Sequence, residues 1–129
     1  MDKLLEIGFQ YAGKWTNYND NLDFELINFS DNKNILYAFI VDKRIMYIGK
    51  SKRTLYKRMY NYKKNDETQS TNINNNLRIK EFLSNGKTVE IYVFVDKGLL
   101  SYGNFSINLS AGLEDSIIEI IQPEWNGIK

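Results

Sequence analysis

The strongest constraint on this chain is a pair of β-rich runs that almost touch, Ile35 to Val41 and Arg44 to Ile48, with only Asp42 and Lys43 between them. Branched and aromatic residues fill both runs, and a two-residue polar spacer between such runs reads as a β-hairpin. Gly49 closes the second run. Register then decides what the hairpin displays. A two-residue turn alone would set Tyr37 opposite Ile48 and send Tyr37 and Tyr47 to different faces, because a one-residue slip reverses every side chain. An odd-numbered loop such as Val41-Asp42-Lys43, or a bulge, brings both tyrosines to one face, and this is the arrangement we expect.

The rest of the chain reads as α+β. Leu4 and Leu5 suggest a short helix or turn, Gly8 and Gly13 punctuate the stretch that follows, and Leu22, Phe24 and Leu26 alternate as an extra edge strand. Residues 1–33 are thus expected to form an N-terminal β extension packed on a core of residues 34–129. After the hairpin, Thr54 to Lys64 carries Leu55, Met59 and Tyr62 at helical spacing. The polar, Asn-rich residues 63–76 read as a loop leading into a helix near Asn75 to Leu83, which stops at Asn85-Gly86. Val89, Ile91, Val93 and Val95 alternate in a third core strand, residues 96–108 read as a Gly-containing loop, and a helix from Ala111 to Gln122 ends at Pro123. The expected architecture is α/β sandwich-like, a small central antiparallel or mixed sheet flanked by helices.

At 129 residues the chain suits one domain. It has no cysteine and no histidine, so a disulfide framework, a Cys/His zinc site, a Ser-His-Asp triad and an imidazole base are all excluded. Catalysis would have to use Tyr, Lys, Arg, Ser, Asp or Glu. No apolar stretch is long enough for a signal peptide or a membrane span, so the expected location is cytoplasmic, with no membrane partner. The charge is segregated: residues 1–32 carry two basic and six acidic groups, residues 33–64 ten basic and one acidic, and residues 65–129 five basic and nine acidic. Such a basic block is what a phosphate-binding face requires; on charge alone it suits a solvated basic face equally well.

In the last predicted helix, Leu113, Ile117, Ile118, Ile120 and Ile121 cover one broad arc at about 100° per residue. Glu114 falls inside that arc. A carboxylate there needs a cation, a donor or a metal, which leaves two readings, a buried structural ion pair or a metal-binding group facing the sheet. Arg58 and Tyr62 lie four residues apart on the basic helix and so sit side by side. Strand tyrosines are commonly core fillers, but Tyr47-Ile48-Gly49-Lys50 followed by a basic turn places a phenol beside concentrated cations, where its pKa could fall toward phenolate.

Taken in order, Ile35-Leu36-Tyr37, Tyr47-Ile48-Gly49, Arg58, Glu114 and Pro123-Glu-Trp-Asn126 resemble the GIY-YIG nuclease domain. The resemblance spans Asn34 to Asn126, and Pro123 follows Glu114 at the family's nine-residue spacing. Ile35 replaces the leading glycine, one extra residue lies between Gly49 and Arg58, and Tyr62 stands where many members carry histidine, as in short restriction-enzyme-like members. Arg53 competes poorly for the arginine role.

The resemblance implies a metal-dependent endonuclease that hydrolyses DNA phosphodiester bonds, of restriction or phage-defence type. The alternative is a non-catalytic DNA-binding module that keeps the fold; a repair or homing nuclease is a weaker third. Tyr37, Tyr47, Arg58, Tyr62 and Glu114 are the implied catalytic residues. Glu114 would hold one Mg²⁺ or Mn²⁺, Arg58 would stabilise transition-state charge, and Tyr37 would take the proton of the attacking water. Tyr47 and Tyr62 would position water or phosphate, and Lys50 would help lower a phenol pKa. Lys50, Lys52, Arg53, Lys57, Gln69, Thr71, Asn72 and Asn126 form the expected contact set for double-stranded DNA. Gln69 and Asn72 would read bases, because Asn and Gln pair bidentately with adenine, and Asn126 would fix the chain end near the site. Cutting both strands would call for a homodimer or a dimer of dimers.

Overall fold

The computed structural model describes residues 1–64 and 70–127. The chain opens with the short helix α1 (Asp2–Glu6) and the strands β1 (Gln10–Tyr18) and β2 (Asn21–Leu26). The central hairpin follows as β3 (Ile35–Val41) and β4 (Arg44–Ser51), then the helices α2 (Leu55–Lys64) and α3 (Ser70–Ser84). After β5 (Glu90–Val95) come a small hairpin, β6 (Ser101–Tyr102) and β7 (Phe105–Ser106), the helix α4 (Leu109–Ile121) and a closing 3₁₀ turn, Glu124–Asn126. Five strands form one antiparallel sheet in the order β2-β1-β5-β3-β4, the expected α+β class. Among the described residues no helix is long and apolar enough to cross a membrane.

Because β3 lies inside the sheet, it is buried along its whole length, and its alternate residues define two cores. Ile35, Tyr37, Phe39 and Val41 face α2 and α3, meeting Leu55, Met59, Tyr62 and Ile79. Leu36, Ala38 and Ile40 face α1 and α4, meeting Leu4, Ile117 and Leu113. Strand β4 is the sheet edge, next to β3 alone.

The hairpin keeps a two-residue turn and sets its register with a bulge, not with an odd-numbered loop. Asp42 and Lys43 form a two-residue turn with left-handed backbone at each position, φ 49° and 64°. Val41 pairs with Arg44 and Ile40 with Ile45, but Phe39 pairs with Tyr47, so Met46 is an inserted bulge residue. The bulge puts Tyr37 opposite Gly49 and Tyr47 opposite Phe39. The tyrosines therefore share a face, as expected.

Several expectations need correction. Strand β1 was absent from the sequence reading because Gly13 resembled punctuation. In fact Gly13 sits within the strand at a register shift against β5, where an added Cβ would run into the Glu25 carbonyl of β2. β1 is an interior strand, and its Trp15 is buried against Phe39 and Tyr62. The loop after β2 then supports α2, with Ser30 and Asn32 carbonyls accepting from the Tyr56 and Leu55 amides. The loop assigned to residues 63–76 is helical from Ser70 onward, and Asn72, Asn75 and Asn76, read as too polar for a core, are each only 1% exposed. The physical reason is that Asn72 and Asn76 satisfy polar groups of α2: Asn72 Oδ1 accepts from Arg58, and Asn76 Nδ2 donates to the Tyr62 carbonyl at 2.7 Å, near the end of that helix. Ile120, expected in the apolar arc of α4, is 66% exposed. The loop at 96–108 contains the β6–β7 hairpin, with Tyr102 and Phe105 exposed.

Candidate active site

Edge strand β4 is where the candidate residues meet. Tyr37 points over Gly49, where a Cβ would overlap its ring and hydroxyl, so only glycine lets the phenol lie there. The Tyr37 hydroxyl is hydrogen-bonded to that of Tyr62 at 2.7 Å. Arg58 completes the group. Its Nη2 donates to the Tyr62 hydroxyl at 2.9 Å, its Nη1 donates to Asn72 Oδ1 at 2.9 Å, and its guanidinium lies 4.1 Å from the Tyr62 ring centroid. The i, i+4 spacing of Arg58 and Tyr62 thus gives a real contact. Tyr47, half-buried, packs beside Tyr37 and stacks on Phe39.

Glu114 comes from α4, on the opposite side of the sheet, and reaches Lys50 at 3.5 Å with 16% of its side chain exposed. Its carboxyl is raised above the ordinary range by burial, with Lys50 pulling it partly back. The two sequence readings of this residue, an ion pair or a group placed to hold a metal, are therefore compatible in one geometry.

The expected drop in phenol pKa does not occur. Burial pushes Tyr37, Tyr47 and Tyr62 upward, and Arg58 only partly counters it. Lys50, assigned to lower a phenol pKa, is engaged with Glu114; the cation beside the phenols is Arg58. Arg58 favours the ionised form of all three phenols, and for Tyr37 the hydrogen bond with Tyr62 does so as well. Arg58 is itself held protonated: burial opposes its charge, but the three phenols more than offset that.

Asn126 explains the Pro123-Glu124-Trp125-Asn126 motif. Its Nδ2 donates to the Ile48 carbonyl at 2.8 Å and its Oδ1 accepts from the Ile48 amide at 2.9 Å. A side chain thereby does the work of a neighbouring strand and locks β4 between Tyr47 and Gly49. This fixes the chain end near the site, as expected, and removes those groups from any role in contacting DNA.

Asn72 likewise needs correction as a base reader, because it is buried and spent on Arg58. Gln69 lies outside the described residues. Thr71, Lys50, Lys52, Arg53 and Lys57 are all exposed. Sequence reading missed Arg78, which with Asn75 lines a cleft of about 300 Å³ next to Tyr47. The signal was present: Asn72, Asn75, Asn76 and Ile79 follow one helical stripe, in phase with an apolar residue.

No family model matches this sequence, and neither does any curated protein. Solved structures do. A point mutant of bacteriophage T4 EndoII superposes with a TM-score of 0.76 at 21% identity, over 98% of this chain and 96% of that one. The restriction endonuclease HPY188I in complex with product DNA gives a TM-score of 0.61 at 19% identity, over 99% of this chain and 82% of that one. The chain therefore has a fold that a restriction endonuclease also has.

Proposed function

We propose that this chain is an endonuclease that hydrolyses phosphodiester bonds in duplex DNA, of the GIY-YIG type and with a restriction or phage-defence role. The observation that carries the reading is the state of Arg58. It is half-buried, and among the described residues its guanidinium donates to the neutral Tyr62 and Asn72 and no carboxylate pairs with it. A desolvated cation balanced only by neutral acceptors is set to receive an anion, and the phosphate of a nucleic acid matches the guanidinium fork.

Tyr37 is assigned as the acceptor of the water proton, with Arg58 and the Tyr62 hydrogen bond favouring its ionised form against the burial that opposes it. Burial keeps the phenols neutral in the free protein, so the transfer belongs to the substrate-bound state. Arg58 stabilises charge developing on the phosphate, and Tyr62 orients Arg58 and Tyr37 together. Glu114, a partly buried carboxylate at the sheet edge, would hold Mg²⁺ or Mn²⁺, since magnesium commonly takes one or two carboxylates with the remainder from substrate and water. A cation held there supplies Lewis-acid stabilisation of the phosphate oxygens. Lys52, Arg53, Lys57 and Thr71 form the exposed DNA face, and two copies of the chain act together on the two strands.

The test is Glu114→Gln, assayed on supercoiled plasmid with Mg²⁺ and on labelled duplex for binding. We expect cleavage to fall by about 10²-fold or more, the scale of a lost transition-state interaction, while the variant folds and keeps its DNA affinity. Full cleavage by the variant, or by the native chain in excess EDTA, would contradict the assignment.

A further inference from the structure

The cleft beside Tyr47 is a second feature with the marks of an anion site. Its walls are Tyr47, Asn75, Arg78, Thr71, Trp125 and Asn126, and its volume of about 300 Å³ is at the lower end of the range for small-ligand pockets. Arg78 is partly buried there. Both of its hydrogen bonds run from Nη1, one to Asn75 Oδ1 at 3.3 Å and one to the Trp125 carbonyl at 3.2 Å. Nη2 and Nε have no partner and no carboxylate pairs with the guanidinium among the described residues. The closing 3₁₀ turn therefore orients a cation without neutralising it.

Asn75 supplies an independent observation. The residue is 1% exposed, and its Nδ2 is buried near the Tyr62 hydroxyl with no hydrogen bond of good geometry among the described residues. Orphaned buried donors are rare in folded proteins and call for an explanation. An acceptor entering the cleft would supply what the free face of Arg78 lacks. Tyr47 also lines the cleft, so whatever occupies it lies beside the proposed reacting site.

We infer that this cleft binds a backbone phosphate of the cleaved strand, adjacent to the bond that is cut, with Arg78 as its ligand and Asn75 holding Arg78 in place. The inference rests on the endonuclease reading and adds a positioning contact to it. Its purpose is register: a phosphate fixed beside Tyr47 sets which neighbouring phosphate reaches Arg58 and Glu114.

The experiment is a binding cycle in the cleavage-deficient Glu114→Gln chain, using duplexes in which one phosphate at a time near the cut is replaced by an uncharged methylphosphonate. Arg78→Gln should weaken binding by about tenfold, as for one charge-assisted hydrogen bond, and reduce the salt slope by about 1. One neutral linkage should cause the same loss, and at that linkage alone the two losses should not add. Additive losses at every linkage, or an unchanged affinity and salt slope in Arg78→Gln, would overturn the inference. Thermal unfolding is followed in parallel. If Arg78→Gln does not fold, Arg78→Lys runs the same cycle: a single linkage whose neutralisation costs less than in the Arg78 chain supports the contact, and identical linkage profiles overturn it. Inorganic phosphate that binds Arg78 while the DNA cycle stays additive would mark a free-anion site and also overturn it. A native chain that binds no duplex DNA defeats both readings, whereas one that binds and cuts with an additive cycle defeats this one alone.

Discussion

On one face of the sheet, Tyr37 and Phe39 of β3 meet Trp15, Tyr62 and Trp125 in a largely aromatic core. On the other face, Leu36, Ala38 and Ile40 of the same strand meet Leu4, Ile117 and Leu113, a mainly aliphatic layer. Aromatic rings bury large areas while keeping polar tips at their ends. The first face uses this to carry hydroxyls and a guanidinium into a water-poor wall at the edge of the sheet. The second face buries plain hydrocarbon and brings a single carboxylate, Glu114, to the same edge. The difference shows how one strand can combine stability with chemistry, since alternate side chains point into separate layers.

Tyr62→Phe probes the first layer and should have the largest effect of the three substitution tests that bear on this comparison. Removing one hydroxyl leaves the Tyr37 hydroxyl and an Arg58 N–H without their partner, so urea unfolding should show a loss of about 1–3 kcal/mol. Ile117→Val probes the second layer. It trims one methylene from a plain packing contact and should lower stability by about 0.5–1.5 kcal/mol. Its cleavage rate, measured under single turnover, should stay within a few-fold of the native chain. A large drop in rate would show that the two layers are coupled and would break the comparison.

The smallest effect concerns the carboxylate at the rim. Burial raises the folded-state Glu114 pKa, so the folded chain holds this proton to higher pH than the unfolded chain. Protonation in the folded state exceeds that in the unfolded state across this window, and stability contributed by the group therefore falls as pH rises from about 4 upward through the raised value. Glu114→Gln should flatten that part of a stability profile measured by thermal unfolding. A profile that keeps its slope would assign it to another group.

Much of this was legible in the sequence where local pattern and tertiary environment agree. The hairpin, α2, β5 and α4 follow from periodicity, and Tyr37, Tyr47, Arg58, Tyr62 and Glu114 could be named from ordered spacing. The misses share a cause. Gly13 is a strand residue because β2 approaches it too closely for a side chain, and no local pattern records that approach. Asn72 and Asn76 are core residues because α2 offers them Arg58 and the Tyr62 carbonyl, partners that are remote in sequence. Their turn propensity was real but was outweighed by those bonds.

The sequence by itself determined the central hairpin, α2, β5 and α4, the absence of thiol and imidazole chemistry, and the concentration of basic residues between positions 33 and 64. Only the tertiary structure decided that the phenols are held neutral, that Lys50 meets Glu114 instead of a tyrosine, and that Asn126 is spent on Ile48. The physical reason is that hydrogen-bond partnership and desolvation depend on what the fold brings alongside a group, and those neighbours lie up to 78 residues away along the chain.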